Sequence, residues 1–208
     1  LTLIFNEERQ KLSMTDNLII DEKVTKITKD YEVYCNIESL EIPLTTIEFE
    51  HNVLGSFKKL KYVKCNPNLL NYFNSATIKI VFIPDGIKQI SKKDFEQLVN
   101  LKFVEIPESV DDIEENAFES CINLTAFKCG TKHLPQLNKK KIKTLVLNNE
   151  VKQINRSCFD ELINLEKCEL PESIKITDPD IFINCKKLME VNIFSARALI
   201  NNKISIKE

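Results

Sequence analysis

Apolar and polar residues alternate in short bursts along this chain, and the bursts recur at regular distances. In Leu101-Lys-Phe-Val104-Glu-Ile106, residues 104 and 106 fall on one face of an extended segment, and Phe103 and Glu105 fall on the other. Alternations of this kind end at Ile20, Ile42, Cys65, Ile83, Ile106, Cys129, Leu147, Leu170 and Ile193, at spacings of 22, 23, 18, 23, 23, 18, 23 and 23 residues. Two long segments and one short one therefore make a 64-residue period. Whole phrases return at that distance: Glu-Ile-Pro-Glu-Ser-Val at 105–110 becomes Glu-Leu-Pro-Glu-Ser-Ile at 169–174. Likewise Asn116-Ala-Phe118-Glu-Ser-Cys121-Ile-Asn-Leu124 becomes Asp180-Ile-Phe182-Ile-Asn-Cys185-Lys-Lys-Leu188. A fainter copy lies upstream, with Ile42-Pro43 and Cys65 opposite Ile106-Pro107 and Cys129. A coil this small cannot bury its own apolar face, so a stack in which each coil covers its neighbour explains the period.

Between strands, the long coils read as a turn at Pro107-Glu-Ser-Val110, then one or two helical turns. Ala117, Phe118, Cys121 and Leu124 supply one apolar helix face. Asp178-Pro179-Asp180 reads as an N-cap followed by proline at the first helical position, and Ser91 ahead of Asp94 as a weaker capping pattern. The short coils, such as Lys132 to Lys141, have room only for an irregular or 3₁₀ crossover.

The recurring phrase Ile/Leu-Pro-x-Ser-Val/Ile, followed by Phe118, Cys121 and Leu124 or their counterparts, resembles the BspA-like class of leucine-rich repeats. That class has expanded in some bacteria and in parasitic protists, and a chain rich in Asn, Ile and Lys fits the AT-rich genome of such a protist. The resemblance is specific over 87–129 and 151–193 and weaker over 17–65, where the Pro-x-Ser phrase becomes Pro43-Leu-Thr. It implies an α/β fold: a right-handed leucine-rich-repeat solenoid with parallel β-strands on the concave face and short helices or 3₁₀ crossovers on the convex face. With parallel strands about 4.8 Å apart, nine coils make an arc on the order of 40 Å along that face. The expected organisation is an N-terminal cap or preceding repeat over 1–16, about nine coils over 17–194, and a short, truncated coil over 195–208. The chain opens on Leu1 without a methionine, which reads as part of a longer protein.

Composition narrows the function more than it names it. Among 208 residues, 29 basic side chains face 31 acidic ones, for a net charge of −2. That balance argues against a nucleic-acid binder driven by phosphate neutralisation. With 3 Gly, a glycine-rich phosphate loop is not expected. No apolar run approaches the roughly 20 residues that cross a bilayer, and the first residues lack the features of a signal peptide.

The seven cysteines include no Cys-x-x-Cys and are odd in number. Cys65 and Cys129 take inward strand positions that hold Ile or Leu elsewhere, and Cys168 takes a Val position. Cys121 and Cys185 take the helix position of Leu98 and Leu162, while Cys158 and Cys35 stand for Ala117 and Val99. Small buried hydrophobes are the expected role, against a redox or metal alternative. Reduced core thiols favour a cytoplasmic location; a cell-surface location is the alternative if a signal lies upstream. His51 and His133 lie in different coils with no nucleophile or ligand partner at useful spacing, so no catalytic residue, metal or cofactor is expected. Asp111-Asp112 and Glu114-Glu115 read as solvated charges near a helix start rather than a catalytic dyad. Asn123-Leu-Thr125 and Asn155-Arg-Ser157 are glycosylation sequons, and Lys139-Lys140-Lys141 is either a solvated turn or a contact for an acidic partner.

The concave face carries the functional expectation. In coil order its residues equivalent to 105 are Ile19, Glu41, Lys64, Phe82, Glu105, Lys128, Val146, Glu169 and Asn192. Those equivalent to 103 are Asn17, Ser39, Tyr62, Ile80, Phe103, Ala126, Thr144, Lys167 and Glu190. The first row alternates apolar, acidic and basic, which places Glu41 beside Lys64 and Glu105 beside Lys128 and keeps an exposed sheet soluble. Both rows turn apolar in the middle. Tyr62, Lys64, Ile80, Phe82, Phe103, Glu105, Ala126, Lys128 and Val146 are thus expected to form an exposed apolar patch rimmed by charge, a protein-binding surface. Self-association, through this patch or the solenoid ends, and incidental exposure are the alternatives. On this reading, Phe82→Glu with Phe103→Glu leaves folding intact and abolishes partner capture. A non-enzymatic interaction module follows, with a cell-surface adhesin or recognition array as the second class.

Overall fold

Nine short strands stack into one parallel sheet, each strand one coil further along the chain. In this computed structural model, residues 16–193 are described, apart from 133, 136, 138, 177 and 179 and the side chains of 32 and 33. The sheet strands are β1 (Asn17–Ile19), β3 (Ser39–Glu41), β5 (Tyr62–Lys64), β6 (Ile80–Phe82), β8 (Phe103–Ile106), β10 (Ala126–Cys129), β11 (Thr144–Leu147), β13 (Lys167–Leu170) and β15 (Glu190–Ile193). They pair in that order. The register pairs Phe103 with Ala126 and Ile106 with Cys129, as the 23-residue spacing demands. Across a short coil, Ala126 pairs with Thr144 and Cys129 with Leu147. The expected ends of the array, 1–15 and 194–208, lie outside the described residues.

The alternation decides which side of the sheet is filled. Leu40, Val63, Val81, Val104, Phe127, Leu145 and Cys168 point with Ile42, Ile106 and Leu170 into one continuous core. Phe95, Phe118 and Phe159, from the crossovers, close that core from the other side. Phe118 stacks between Phe95 and Phe127, at centroid distances of 4.8 and 5.4 Å. One period on, Phe159 meets Phe182 at 4.9 Å.

Most crossovers carry the expected short helix or 3₁₀ turn, but the segment 114–124, read from its apolar spacing as helical, does not. The sole described α-helix is α1 (Lys92–Phe95), with 3₁₀ segments at Lys29–Tyr34, Leu54–Ser56, Pro67–Tyr72, Lys139–Lys141 and Arg156–Cys158. Ala117, Phe118, Cys121 and Leu124 are all buried, yet they lie in successive turns rather than a helix. Their backbone bonds run Ala117 N–H to Glu114, Cys121 N–H to Phe118 and Leu124 N–H to Cys121, each closing over three residues. An apolar spacing of three fits that tighter turn better than the 3.6 of an α-helix, and the segment is too short to propagate one. Of the expected caps, the Ser91 N–H donates to Asp94 Oδ2 at 2.7 Å. Asp178 Oδ1 accepts from the Asp180 N–H at 3.1 Å, while Pro179 lies outside the described residues.

The long coils also carry a second band of pairing that the hydrophobic pattern did not suggest. β2 (Lys26–Ile27) pairs with β4 (Glu48–Phe49), β7 (Gln89–Ile90) with β9 (Asp112–Ile113), and β12 (Gln153–Ile154) with β14 (Lys175–Ile176). Each 64-residue unit contributes one such pair. The period extends to the backbone: Asn52 and Asn116, 64 residues apart, both sit at φ 62°, where asparagine is better tolerated than most residues.

Candidate functional site

On the face of the sheet opposite the core, the two expected rows are in register. Tyr62 is beside Ile80, Ile80 beside Phe103, and Phe103 beside Ala126. Lys64 is beside Phe82, Phe82 beside Glu105, and Glu105 beside Lys128. Lateral charge pairing follows, with Lys64–Glu41 at 2.5 Å and Lys128–Glu105 at 2.7 Å. Lys167 bridges Glu190 at 3.0 Å and Glu169 at 3.4 Å, and these acceptors hold its ammonium above the ordinary lysine range.

Exposure is where the expectation fails. Phe103 is 1% exposed, Ile80 4%, and Ala126 and Val146 5% each. Ile80, Phe103 and Ala126 form a second apolar cluster of their own, separate from the main core, with Tyr62 and Phe82 packed against it. The Phe82 and Phe103 rings meet edge-on, 5.8 Å apart. The physical reason is the rung spacing: parallel strands about 4.8 Å apart bring bulky side chains of one row into mutual contact. The side chains of the set that remain half-exposed are Tyr62, Lys64, Phe82, Glu105 and Lys128. Phe103→Glu would bury a charge in an apolar cluster, so the double substitution expected to spare folding does not isolate binding.

A pocket of about 510 Å³ opens where the central concave strands end, lined by Lys64, Phe82, Asp85, Glu105, Glu108, Lys128 and Asn148 among others. Asp85, Glu108 and Asn148 stand in the turns that leave the sheet, beyond the reach of an argument confined to the strands. Asn148 Nδ2 donates to Glu108 Oε1 at 3.0 Å, a contact that spans two coils. It passes the coil in which Gly130 stands against the backbone of Ile106, Pro107 and Glu108. Their common position after the strand is the one sequence signal that could have found them.

Cys65, Cys121, Cys129, Cys168 and Cys185 are buried, and Cys35 and Cys158 are half-buried; no disulfide joins any of the seven. Burial pushes the Cys121 thiol up to about 12 and Cys185 up to about 11, and raises Cys65, Cys129 and Cys168 as well. Cys121 and Cys185 each donate to the carbonyl of a phenylalanine one coil back, Phe95 and Phe159, at 3.8 Å. Thiols held this firmly protonated are poor nucleophiles and poor metal ligands. Among the described residues, no group of three His, Cys, Asp or Glu side chains is placed to hold a metal. His51 lines a second pocket, of about 490 Å³, with Ile47, Phe49 and Tyr72; His133 lies outside the described residues.

The acidic pairs serve neighbouring coils. Glu114 Oε2 accepts the Lys92 N–H at the start of α1, at 2.9 Å, and Glu50, 64 residues earlier, accepts the Lys29 N–H at 2.6 Å. Asp111 pairs with Lys88 at 3.4 Å, and Asp112 accepts from Gln89 at 3.0 Å. Of the sequon asparagines, Asn123 donates its side-chain N–H to the Val99 carbonyl at 3.0 Å, and Asn155 accepts from the Ser157 hydroxyl at 2.6 Å. Asn100 and Asn164 make the same contact as Asn123, to Ala76 and Lys140.

Known proteins share this architecture. An internalin, InlF of Listeria monocytogenes, superposes with a TM-score of 0.53 at 12% identity, covering 79% of this chain and 50% of that one. The structure of the Toll–Spatzle complex of Drosophila gives 0.51 at 14% identity, covering 77% and 30%, and that of the TLR13–ssRNA13 complex 0.53 at 15%, covering 85% and 32%. The chain thus spans half or less of the length of these three, and at such identity they share its fold alone. No curated protein matches the chain in sequence. The sequence profile of the BspA type leucine rich repeat region, in six copies, matches residues 9–77, 70–138 and 137–204. With phrase, register and profile in agreement, the chain belongs to the BspA-type leucine-rich-repeat family.

Proposed function

We propose that this protein is a non-enzymatic interaction module that holds a protein partner on its concave face. The observation that carries the reading is the pocket at the ends of the central strands, where the ring of Phe82 lies between the ion-paired rungs Glu41–Lys64 and Glu105–Lys128. A half-exposed aromatic framed by charge pairs is the usual anatomy of an interface anchor. Tyr62, Lys64, Phe82, Glu105 and Lys128 supply the contact surface, while Ile80, Phe103, Ala126 and Val146 form its buried support. Repeat families use such concave sheets as scaffolds for protein contacts.

Seven cysteines, mostly in the core and joined by no disulfide, fit a reducing compartment, and the same reading puts the module in the cytoplasm. Among the described residues, no helix is long and apolar enough to cross a membrane. The test is affinity capture from native lysate with the wild type and with Phe82→Glu combined with Lys128→Glu. Both sites are half-exposed, so the variant keeps the wild-type circular dichroism. Its thermal midpoint falls because the Phe82–Phe103 contact and the Lys128–Glu105 pair are lost, and capture is compared well below that midpoint. A specific partner lost from the variant supports the concave site; a partner retained in full overturns it.

A further inference from the structure

The overall charge of −2 conceals a polarity across the strands. Within three residues of the strand ends an acidic, exposed side chain stands in four coils: Asp21, Asp85, Glu108 and Glu172. Where the strands begin, lysine predominates in the middle of the stack. The residue before each strand, from the second coil onward, is Glu38, Lys61, Lys79, Lys102, Thr125, Lys143, Glu166 or Met189. Backbone bonds tie these into one column: Lys61 N–H to Glu38, Lys79 to Lys61, Lys102 to Lys79, Thr125 to Lys102, Lys143 to Thr125 and Glu166 to Lys143. Lys61 and Lys143 are held by Glu38 and Glu166. Lys79 and Lys102, adjacent and exposed at the centre of the column, have no ion-pair partner among the described residues, and exposed Lys140 and Lys141, in the coil of Lys143, have none either.

Aliphatic side chains stand out from the same rim. Val99 is 42% exposed, Ile122 52% and Ile163 43%. Val99 and Ile163 are 64 residues apart, and Val99 and Ile122 hold equivalent places in neighbouring coils. We infer that this rim is a docking surface for an anionic lipid bilayer. Lysines on flexible stems flanking short aliphatic prongs are the elements of an interfacial membrane contact, in which charge attracts the protein and the prongs enter the headgroup region. Neither pocket described above is lined by residues of this rim. Its rows carry no arginine or aromatic side chain that would clamp phosphates in pairs or stack on bases, which disfavours nucleic acid. The acidic far edge turns the rim, rather than the opposite side, toward a negative surface.

Co-sedimentation of the purified chain with vesicles tests this. Vesicles of phosphatidylcholine with phosphatidylserine should bind it, vesicles of phosphatidylcholine alone should not, and raised salt should release it. Lys79→Glu with Lys102→Glu should cut binding about tenfold or more. Ile122→Ser should weaken it with unchanged salt dependence. Phe82→Glu, on the concave face, should leave it intact, which separates this surface from the proposed protein-binding one. Equal binding to both vesicle types, full binding by the lysine variant while it remains folded, or capture of poly-glutamate in place of vesicles would each overturn the proposal.

Discussion

Gly130 shows how a single position can be dictated by its neighbours. A methyl group there would overlap the backbone of Ile106, Pro107 and Glu108, because the short coil draws its backbone against the turn of the preceding one. Backbone cannot give way as a side-chain tip can. Gly130→Ala should therefore lower stability by about 1–3 kcal/mol, the range for overpacking. At Gly55 the added carbon would lie 3.6 Å from the Tyr72 carbonyl, an ordinary contact, so Gly55→Ala should stay within about 0.5 kcal/mol. Urea denaturation of the two variants checks the contrast, and equal midpoints would refute it. Nothing in the local sequence Phe127-Lys-Cys-Gly130-Thr separates these glycines. The close approach exists only between coils.

At the scale of the element, strand β8 shows where pattern reading succeeds and where it stops. Its alternation assigned Val104 and Ile106 to the core and Phe103 and Glu105 to the other face, and the structure agrees. Facing away from the core did not mean facing water, since Phe103 is enclosed with Ile80 and Ala126. Phe103→Ala should accordingly cost about 3–5 kcal/mol, as for other buried phenylalanines, and Phe82→Ala clearly less because that ring is half-exposed. Chemical denaturation measures both; a near-neutral Phe103→Ala would restore the reading of an open patch. The crossovers teach the same lesson. Their apolar spacing identified the buried residues Ala117, Phe118, Cys121 and Leu124 but not the tight turns that carry them, because one buried face is compatible with several backbone conformations.

The whole molecule distributes its buried thiols through the stack, from Cys65 in the third coil to Cys185 in the eighth crossover. In the unfolded chain each ionises near its ordinary 9.0, whereas in the fold Cys185 holds its proton to about 11 and Cys121 to about 12. The folded state thus binds more protons than the unfolded state above pH 9, so their contribution to stability is complete below that point and declines through about pH 9 to 12. Urea midpoints should fall as the pH is raised from about 8 to about 10. Cys121→Ala with Cys185→Ala should start from a lower midpoint and fall less steeply; an unchanged slope would show that other groups govern alkaline stability. Charge also acts at this scale, for the lysines of one rim are scattered over 83 positions from Lys61 to Lys143 and meet only because each coil returns the chain to the same side.

Periodicity, the inward and outward rows, the lateral ion pairs and the structural role of most cysteines were all settled by the order of residues, because a repeating coil converts sequence spacing directly into strand register. The closed aromatic cluster, the pocket at the strand ends, the fit at Gly130 and the division into basic and acidic rims were decided in three dimensions. Each depends on distances between coils, and no single coil contains that information.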